Sequence, residues 1–126
     1  MSETRESIAV GELHEALLEY AEKGNASHRA RSTLAGWNCR VHIEATDVPD
    51  ARFTLVVTNG TSTAPSRSLD GVPDLVVRGH SMDLAEIFWG DASPVSNYMQ
   101  GAIKTQGRAD DVMRLDALAM FIFLDQ

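Results

Sequence analysis

The period of the hydrophobic pattern changes along this chain, and that change limits the fold more than any other feature of the sequence. Within residues 7–23, apolar side chains recur at helical spacing, with Leu13, Leu17 and Tyr20 on one face. From Cys39 onwards, apolar and polar residues alternate, as they do in a strand with one buried face. The pattern therefore predicts a helix that ends at Gly24 and is followed by a run of strands.

Four strands are predicted in the middle of the chain. They cover residues 39–45, 53–58, 61–68 and 75–78. Asn59 and Gly60 predict a tight hairpin turn after the second strand, because both residues tolerate positive φ. Pro65 would place the third strand at an edge. Short turns between successive strands predict an antiparallel meander. The stretch 25–36, before the first strand, is either a short helix or a solvated connector.

Helical spacing returns in the second half of the chain. The predicted elements are a helix at 81–90, a short helix beginning at Pro94, a strand within 101–107 and a last helix at 108–124. Ser81 is the predicted N-cap of the first of these helices. Asp83 and Glu86 follow early in that helix, where the helix dipole favours acidic side chains.

Length and charge narrow the class of protein. The 126 residues suit one domain over 1–126, with residues 1–6 frayed. The net charge is −7 and the 11 Lys and Arg residues are scattered, which argues against nucleic acid as a partner. Cys39 is the one cysteine and no secretory signal is visible, so we expect a cytoplasmic protein. The longest apolar run, residues 117–124, is too short to span a bilayer, so we expect at most transient membrane contact.

The succession of glycine-bounded elements in the second half resembles the sterol-carrier-protein-2 family. Residues 73–90, PDLVVRGHSMDLAEIFWG, resemble its strand followed by a helix that glycine closes. Residues 93–101 resemble its proline-started helix, and residues 103–118 its last strand, glycine and C-terminal helix. The resemblance covers a little over a third of the chain, residues 73–118.

This resemblance implies an α+β fold in which a mostly antiparallel sheet of about five strands is covered on one face by four or five helices. An apolar cavity between the layers would hold a fatty acyl chain, a sterol-like molecule, or a polyketide or isoprenoid intermediate. The resemblance implies a carrier, or a protein that serves a biosynthetic pathway. We expect no cofactor.

Apolar periodicity and the resemblance together predict the residues that contact the ligand. They are Leu84, Phe88, Trp89, Tyr98, Met99, Met113, Leu118, Phe121 and Ile122. Met side chains are flexible and suit a surface that adapts to varied ligands. For each of these residues, ordinary core packing is the competing interpretation.

The end of the last helix is apolar on every side. Residues 117–124 carry no polar side chain, so something must cover them. Three interpretations are open: packing in the core, a lid over the cavity, or the contact surface of a homodimer formed through this helix.

The sequence offers little that would support catalysis or metal binding. The four histidines have none of the spacings that hold zinc, and we expect no metal site. His80, Ser81 and Asp83 are residue types of a hydrolytic triad, but neighbours at a helix start point in different directions. We predict no catalytic residue and expect binding rather than catalysis. The alternatives are a small cavity enzyme of the cyclase or isomerase type, acting on a hydrophobic metabolite, and a dimerising interaction module.

Overall fold

The computed structural model describes the backbone of residues 5–89 and 103–124 and the side chains of residues 8–88, 103–122 and 124. The helices in this part of the chain are α1 (Arg5–Ala26), α2 (His28–Thr33), α3 (Ser81–Trp89) and α4 (Ala109–Leu124). The strands are β1 (Cys39–Ala45), β2 (Arg52–Thr58), β3 (Thr61–Ser62), β4 (Leu75–Gly79) and β5 (Ile103–Gly107). The predicted short helix at Pro94 lies outside the described residues.

The strands form one sheet in the order β3-β2-β1-β4-β5. The pairs β1–β2, β2–β3 and β4–β5 are antiparallel, whereas β4 lies parallel to β1. The prediction of a mostly antiparallel α+β sheet is confirmed, but the predicted meander is wrong at β4. The chain returns to the opposite side of β1 instead of adding to β3, and β4 runs in the same direction as β1.

The connection from β3 to β4 explains this parallel pairing. It is the crossing segment, residues 63–74, which follows the edge of β2 as far as Ser66 and then runs over the face of the sheet that the helices do not cover. Ser66 pairs with Thr54 of β2, and the carbonyl oxygen of Asp70 lies 3.0 Å from Nε2 of His42 on β1. The Asp74 N–H then donates to the Arg40 carbonyl at the start of β1. By crossing β2 and β1 in turn, the segment brings the chain to the far side of β1.

The third strand is shorter than predicted. Only Thr61–Ser62 pairs as a strand, followed by the isolated bridge at Ser66, where a strand over 61–68 was expected. Pro65 lacks an N–H and cannot donate to a ladder, which accounts for the interruption. The predicted hairpin turn before this strand is confirmed, since Asn59 and Gly60 have φ of 52° and 76°.

Helices cover the inner face of the sheet and form the core with it. The inner face is the set of side chains Cys39, Val41, Ile43, Phe53, Leu55, Val57, Leu75 and Val77, which are all buried. Leu13, Leu17 and Tyr20 of α1 are fully buried, as their helical spacing predicted. The side chains that alternation predicts to be buried in the strands thus pack in one core with those that the 3.6-residue period predicts to be buried in the helix.

Helix α1 continues through the glycine at which it was predicted to end. A Cβ atom at Gly24 would lie 2.9 Å from Cδ1 of Leu118 on α4. The glycine therefore serves close packing of two helices rather than helix termination, and α1 ends at Ala26. The short-helix interpretation of residues 25–36 is correct for His28–Thr33, where Ser27 is the N-cap and accepts from the Ala30 N–H.

Candidate ligand site between the helices and the sheet

A small apolar cavity lies where α3 and α4 pack on the β4–β5 side of the sheet. Its described lining residues are Val77, Ile87, Phe88, Ile103, Leu115, Asp116 and Ala119. The cavity volume is about 10 Å³, roughly the room that one water molecule needs. A lipid tail therefore fits between these layers only if the lining side chains move apart.

The two helices present their apolar side chains to this layer at regular spacing. In α3, Leu84, Ile87 and Phe88 follow the i, i+3, i+4 pattern of one helix face and are at most 6% exposed. In α4, the same pattern buries Leu115, Leu118, Ala119 and Ile122. Two short helical stripes and the inner face of the sheet thus surround the cavity.

Tyr20 links α1 to both of these helices. Its ring meets Phe88 of α3 edge to face, with centroids 5.0 Å apart and planes at 86°. Its hydroxyl donates to the Leu115 carbonyl oxygen of α4 at 3.3 Å. A fully buried tyrosine needs such a partner for its hydroxyl. Tyr20 therefore fixes α3 and α4 against the same point of α1.

The structure brings some of the predicted ligand-contacting residues together. Phe88 lines the cavity. Leu84, Leu118 and Ile122 are buried in the adjoining core. Phe121 is half-buried and lies under Arg29 of α2, whose Cζ is 5.2 Å from the ring centroid. Whether these residues contact a ligand stays a prediction.

Of the other four predicted residues, one is exposed and three have no described side chain. Met113 is 67% exposed on the outer side of α4, because it lies two residues before the buried Leu115 and so points away from the core. Tyr98 and Met99 lie outside the described residues, as does the side chain of Trp89 at the end of α3.

Sequence reasoning missed several lining residues. Ile87 shares a helix face with Leu84 and Phe88, and Ala119 shares one with Leu115, so helical spacing alone indicated both. Asp116 is different, since no local pattern predicts that an acidic residue borders an apolar cavity.

Burial in α4 bears on the three interpretations of residues 117–124. Leu118, Ala119 and Ile122 pack inside the chain, which supports core packing for these three residues. Leu124 is 61% exposed. The lid and the homodimer stay predictions.

Polar contacts anchor the start of α4. The Trp37 indole N–H donates to Oδ1 of Asp111 at 3.0 Å, and both residues are buried. Cys39 lies nearby, and burial together with the carboxylates of Asp111 and Asp74 raises the pKa of its thiol to about 12. The thiolate is the reactive form of cysteine, so Cys39 is not poised as a nucleophile. It acts as a small apolar residue of β1.

A second polar cluster fixes the start of α3 and corrects the predicted N-cap. The His80 carbonyl accepts the first helical hydrogen bond, from the Leu84 N–H, so the cap position is His80 rather than Ser81. Asp47, from the turn after β1, accepts from both the N–H and the hydroxyl of Ser81 at 2.8 Å. Its carboxylate does from a distance what an N-cap side chain does locally.

This cluster contains serine, histidine and aspartate, but not in the order that a hydrolase uses. The Ser81 hydroxyl donates to Oδ2 of Asp47, and Nε2 of His80 lies 3.2 Å from the same oxygen. A nucleophilic serine would instead donate to the imidazole. Burial alone would raise the pKa of Asp47, but the Ser81 hydrogen bonds and His80 hold it below its usual range. Asp47 is thus an ionised capping group.

A larger groove opens beside β4 and β5. Its volume is about 560 Å³, and its described lining residues are Thr46, Val76, Arg78, Gly79, Lys104, Thr105 and Gln106. Arg78 and Lys104 are cross-strand partners, and Glu44 lies 3.4 Å from Arg78. This groove is open, and five of its seven described lining residues are polar or charged, so it lacks the enclosed apolar walls that hold a lipid tail. The apolar layer under α3 and α4 is therefore the better candidate.

The described residues show neither a metal-binding group nor a membrane-spanning helix. Within residues 5–89 and 103–124, no three His, Cys, Asp or Glu side chains are grouped so that they would hold a metal ion. None of the helices in that same part of the chain is long and apolar enough to cross a bilayer.

Solved structures with the same fold include sterol-carrier-like proteins. UbiJ-SCP2, a ubiquinone synthesis protein, superposes with a TM-score of 0.66 at 17% identity, over 87% of this chain and 94% of its own. Sterol carrier protein domain 2 of Helicoverpa armigera gives 0.62 at 20% identity, over 98% and 94%. The palmitated SCP2L2 of Aedes aegypti gives 0.53 at 14% identity, over 86% and 91%. These identities establish the fold alone.

Sequence comparison decides the family. No curated protein matches the chain with significant similarity. The model of the SCP-2 sterol transfer family matches residues 18–120, from the second half of α1 to within α4. This span takes in every described strand, the whole of α3 and most of α4, so it confirms the resemblance of residues 73–118 and extends it. The chain is a member of the SCP-2 sterol transfer family.

Proposed function

We propose that this protein binds and carries a hydrophobic small molecule between α3, α4 and the inner face of the sheet. The observation that carries the proposal is the apolar cavity with six apolar lining residues, in a chain of the SCP-2 sterol transfer family. One structural relative of the same fold is palmitated, which makes a fatty acyl chain a reasonable first probe. Sterol-like molecules and polyketide or isoprenoid intermediates are the other candidate ligands.

The cavity must widen for such a ligand. A buried CH₂ group contributes about 0.8 kcal/mol, so a tail of a dozen methylenes gains on the order of 10 kcal/mol before association costs. That gain offsets the separation of side chains that pack through apolar contacts alone, such as Ile87 and Ala119. We expect ligand entry to separate α3 from α4 rather than to disturb the sheet.

Binding without chemistry fits the lining best. Asp116 is the one ionisable side chain among the described lining residues. Acid–base catalysis places its proton donor or acceptor against the reacting group, and most such sites combine several polar side chains. We therefore propose a carrier in preference to a cavity enzyme. A cytoplasmic location, suggested by the unpaired Cys39, is part of the same proposal.

The test is a variant that fills the cavity. Ala119 lines it and is 3% exposed, so Ala119→Phe places a ring where a tail would enter. Displacement of a fluorescent fatty acid by unlabelled lipids measures binding, and we expect the variant to lose at least about tenfold in affinity. Overpacking costs about 1–3 kcal/mol, so thermal melting must show that the variant is folded.

A matched control shows whether the loss of affinity comes from filling the cavity or from adding a phenylalanine anywhere on the helix. Ala109→Phe makes the same change on the same helix at an exposed position. We expect it to bind as the unchanged protein does. Native mass spectrometry of the purified protein, with organic extraction of bound lipid, gives a second measurement. No uptake of any fatty acid, sterol or isoprenoid by the unchanged protein, or equal binding by the two phenylalanine variants, would overturn the proposal.

A further inference from the structure

The groove beside β4 and β5 differs in charge from the chain as a whole. None of its seven described lining residues is acidic and two, Arg78 and Lys104, are cations, in a chain with 18 acidic and 11 basic residues. These two cations follow Val77 and Ile103, which face the apolar cavity, so alternation turns them to the outer face of the sheet. The sheet therefore separates this groove from the candidate lipid site.

The strand pairing places these two cations side by side. Arg78 and Lys104 are direct cross-strand partners, and like charges in such positions destabilise the pairing of their strands. Glu44, the partner of Arg78 on β1, offsets part of this repulsion through an ion pair at 3.4 Å. Within the part of the chain that the structure describes, no ion pair neutralises Lys104. The fold thus leaves a positive charge in the groove that a bound anion would neutralise.

The other polar residues of the groove suit an anion with several oxygen atoms. The Thr46 hydroxyl and the Gln106 amide can both donate hydrogen bonds, and both residues are exposed. The Arg78 guanidinium offers a planar pair of N–H donors that matches a phosphate, and the Lys104 ammonium adds a point charge. The volume of about 560 Å³ lies within the range of small-molecule sites.

We propose that this groove is a binding site for the phosphate group of a small molecule, which Arg78 and Lys104 hold together. Glu44 competes with the phosphate for Arg78 and so lowers its affinity. The inference does not depend on the proposed carrier function, because the two sites lie on opposite faces of the sheet.

The experiment titrates inorganic pyrophosphate into the ¹⁵N-labelled protein and follows the backbone amide signals by NMR. Sodium chloride at equal ionic strength is the control for general screening of surface charge. We expect pyrophosphate alone to shift the amide signals of Thr46, Arg78 and Lys104, with a Kd below about 1 mM at low salt.

Three variants test the roles of the charges. Lys104→Gln should weaken pyrophosphate binding at least about fivefold, because it removes one of the two cations. Glu44→Gln should strengthen it about threefold, because Arg78 loses its competing carboxylate. Lys23→Gln makes the same change as Lys104→Gln at an exposed position on α1 and should leave the affinity unchanged.

A second measurement identifies the source of the phosphate. Flotation with vesicles of phosphatidylcholine, alone or mixed with phosphatidic acid, tests for a lipid head group. If pyrophosphate binds and the vesicles do not, the site takes a soluble phosphate compound. Vesicle binding that requires phosphatidic acid and is lost in Lys104→Gln would add a lipid head group as a ligand of the same site.

Other results would overturn the proposal. These are the absence of pyrophosphate binding, shifts that sodium chloride reproduces, or equal affinity in Lys104→Gln and Lys23→Gln. The cavity-filling variant Ala119→Phe separates this inference from the carrier proposal, since it should lose lipid affinity but bind pyrophosphate as the unchanged protein does.

Discussion

The inner face of the sheet is covered by the apolar faces of helices. Part of the outer face is instead covered by the crossing segment, which hydrogen bonds hold in place. On the inner face, Phe53 and Leu55 are fully buried among the side chains of the core. On the outer face, the Thr54 hydroxyl donates to the Ser68 carbonyl at 2.6 Å and accepts from the Asp70 N–H at 2.8 Å. Thr54 is 3% exposed, so both faces are buried there, but by different means.

This difference indicates which face can accept a ligand. Apolar contacts have little directional preference, so side chains under α3 and α4 can separate and re-form the same kind of contact with a lipid tail. Hydrogen bonds depend on angle and distance, and a buried donor or acceptor without a partner is costly. We therefore expect the inner face to adapt and the outer face to stay in one arrangement.

The largest expected effect comes from the inner face. Phe53→Ala removes a fully buried ring from β2, and we expect the free energy of unfolding to fall by about 3–5 kcal/mol. Chemical denaturation measures this change. Val56→Ala, at a half-buried position on the outer face of the same strand, should cost only about 1 kcal/mol. Equal losses in the two variants would remove the contrast between the faces.

The next largest loss of stability is expected from a variant that removes polar contacts of the outer face. Thr54→Val keeps the shape of the side chain but removes the hydroxyl, so the Ser68 carbonyl and the Asp70 N–H lose a partner. We expect a loss of about 1–3 kcal/mol in the free energy of unfolding. Thr58→Val, at an exposed position of β2, is the matched control and should change it little. An unchanged free energy of unfolding in Thr54→Val would mean that side-chain shape rather than hydrogen bonding holds the crossing segment.

A pH dependence should distinguish the faces further. Hydrogen bonds from the hydroxyls of Ser66 and Ser68 hold the pKa of Asp70 below its usual range. Its contribution to stability is therefore fully present above the ordinary carboxyl pKa of about 4 and is lost as the pH falls through the lowered value. We expect Asp70→Asn to melt below the unchanged protein at pH 7 and to approach it in acid. Asp50→Asn, at an exposed position in the turn before β2, should not reproduce that convergence.

The smallest change in stability and lipid affinity is expected on the exposed side of α4. Met113 was predicted to contact the ligand, but it is 67% exposed. Met113→Gln should change the free energy of unfolding by less than about 0.5 kcal/mol and leave lipid affinity unchanged. A clear loss of affinity, measured by the same displacement assay as Ala119→Phe, would extend the site to this surface of α4.

The sequence by itself determined most of the secondary structure and the composition of the core. Residues 39–45 were predicted as a strand to the residue, and the Asn59–Gly60 turn was predicted from its need for positive φ. The buried face of α1 followed from spacing alone. These features depend on neighbours a few positions apart, so the order of residue types is enough to specify them.

Tertiary structure decided the features that join distant parts of the chain. The parallel pairing of β4 with β1 depends on a segment that crosses the sheet, and the capping of α3 by Asp47 joins residues 34 positions apart. Gly24 reads as a helix end until Leu118 is placed against it. The sequence alone would place Asp116 among the solvated residues of α4, and only the structure shows that it borders the cavity. Such roles depend on which surfaces meet, and only packing brings those surfaces together.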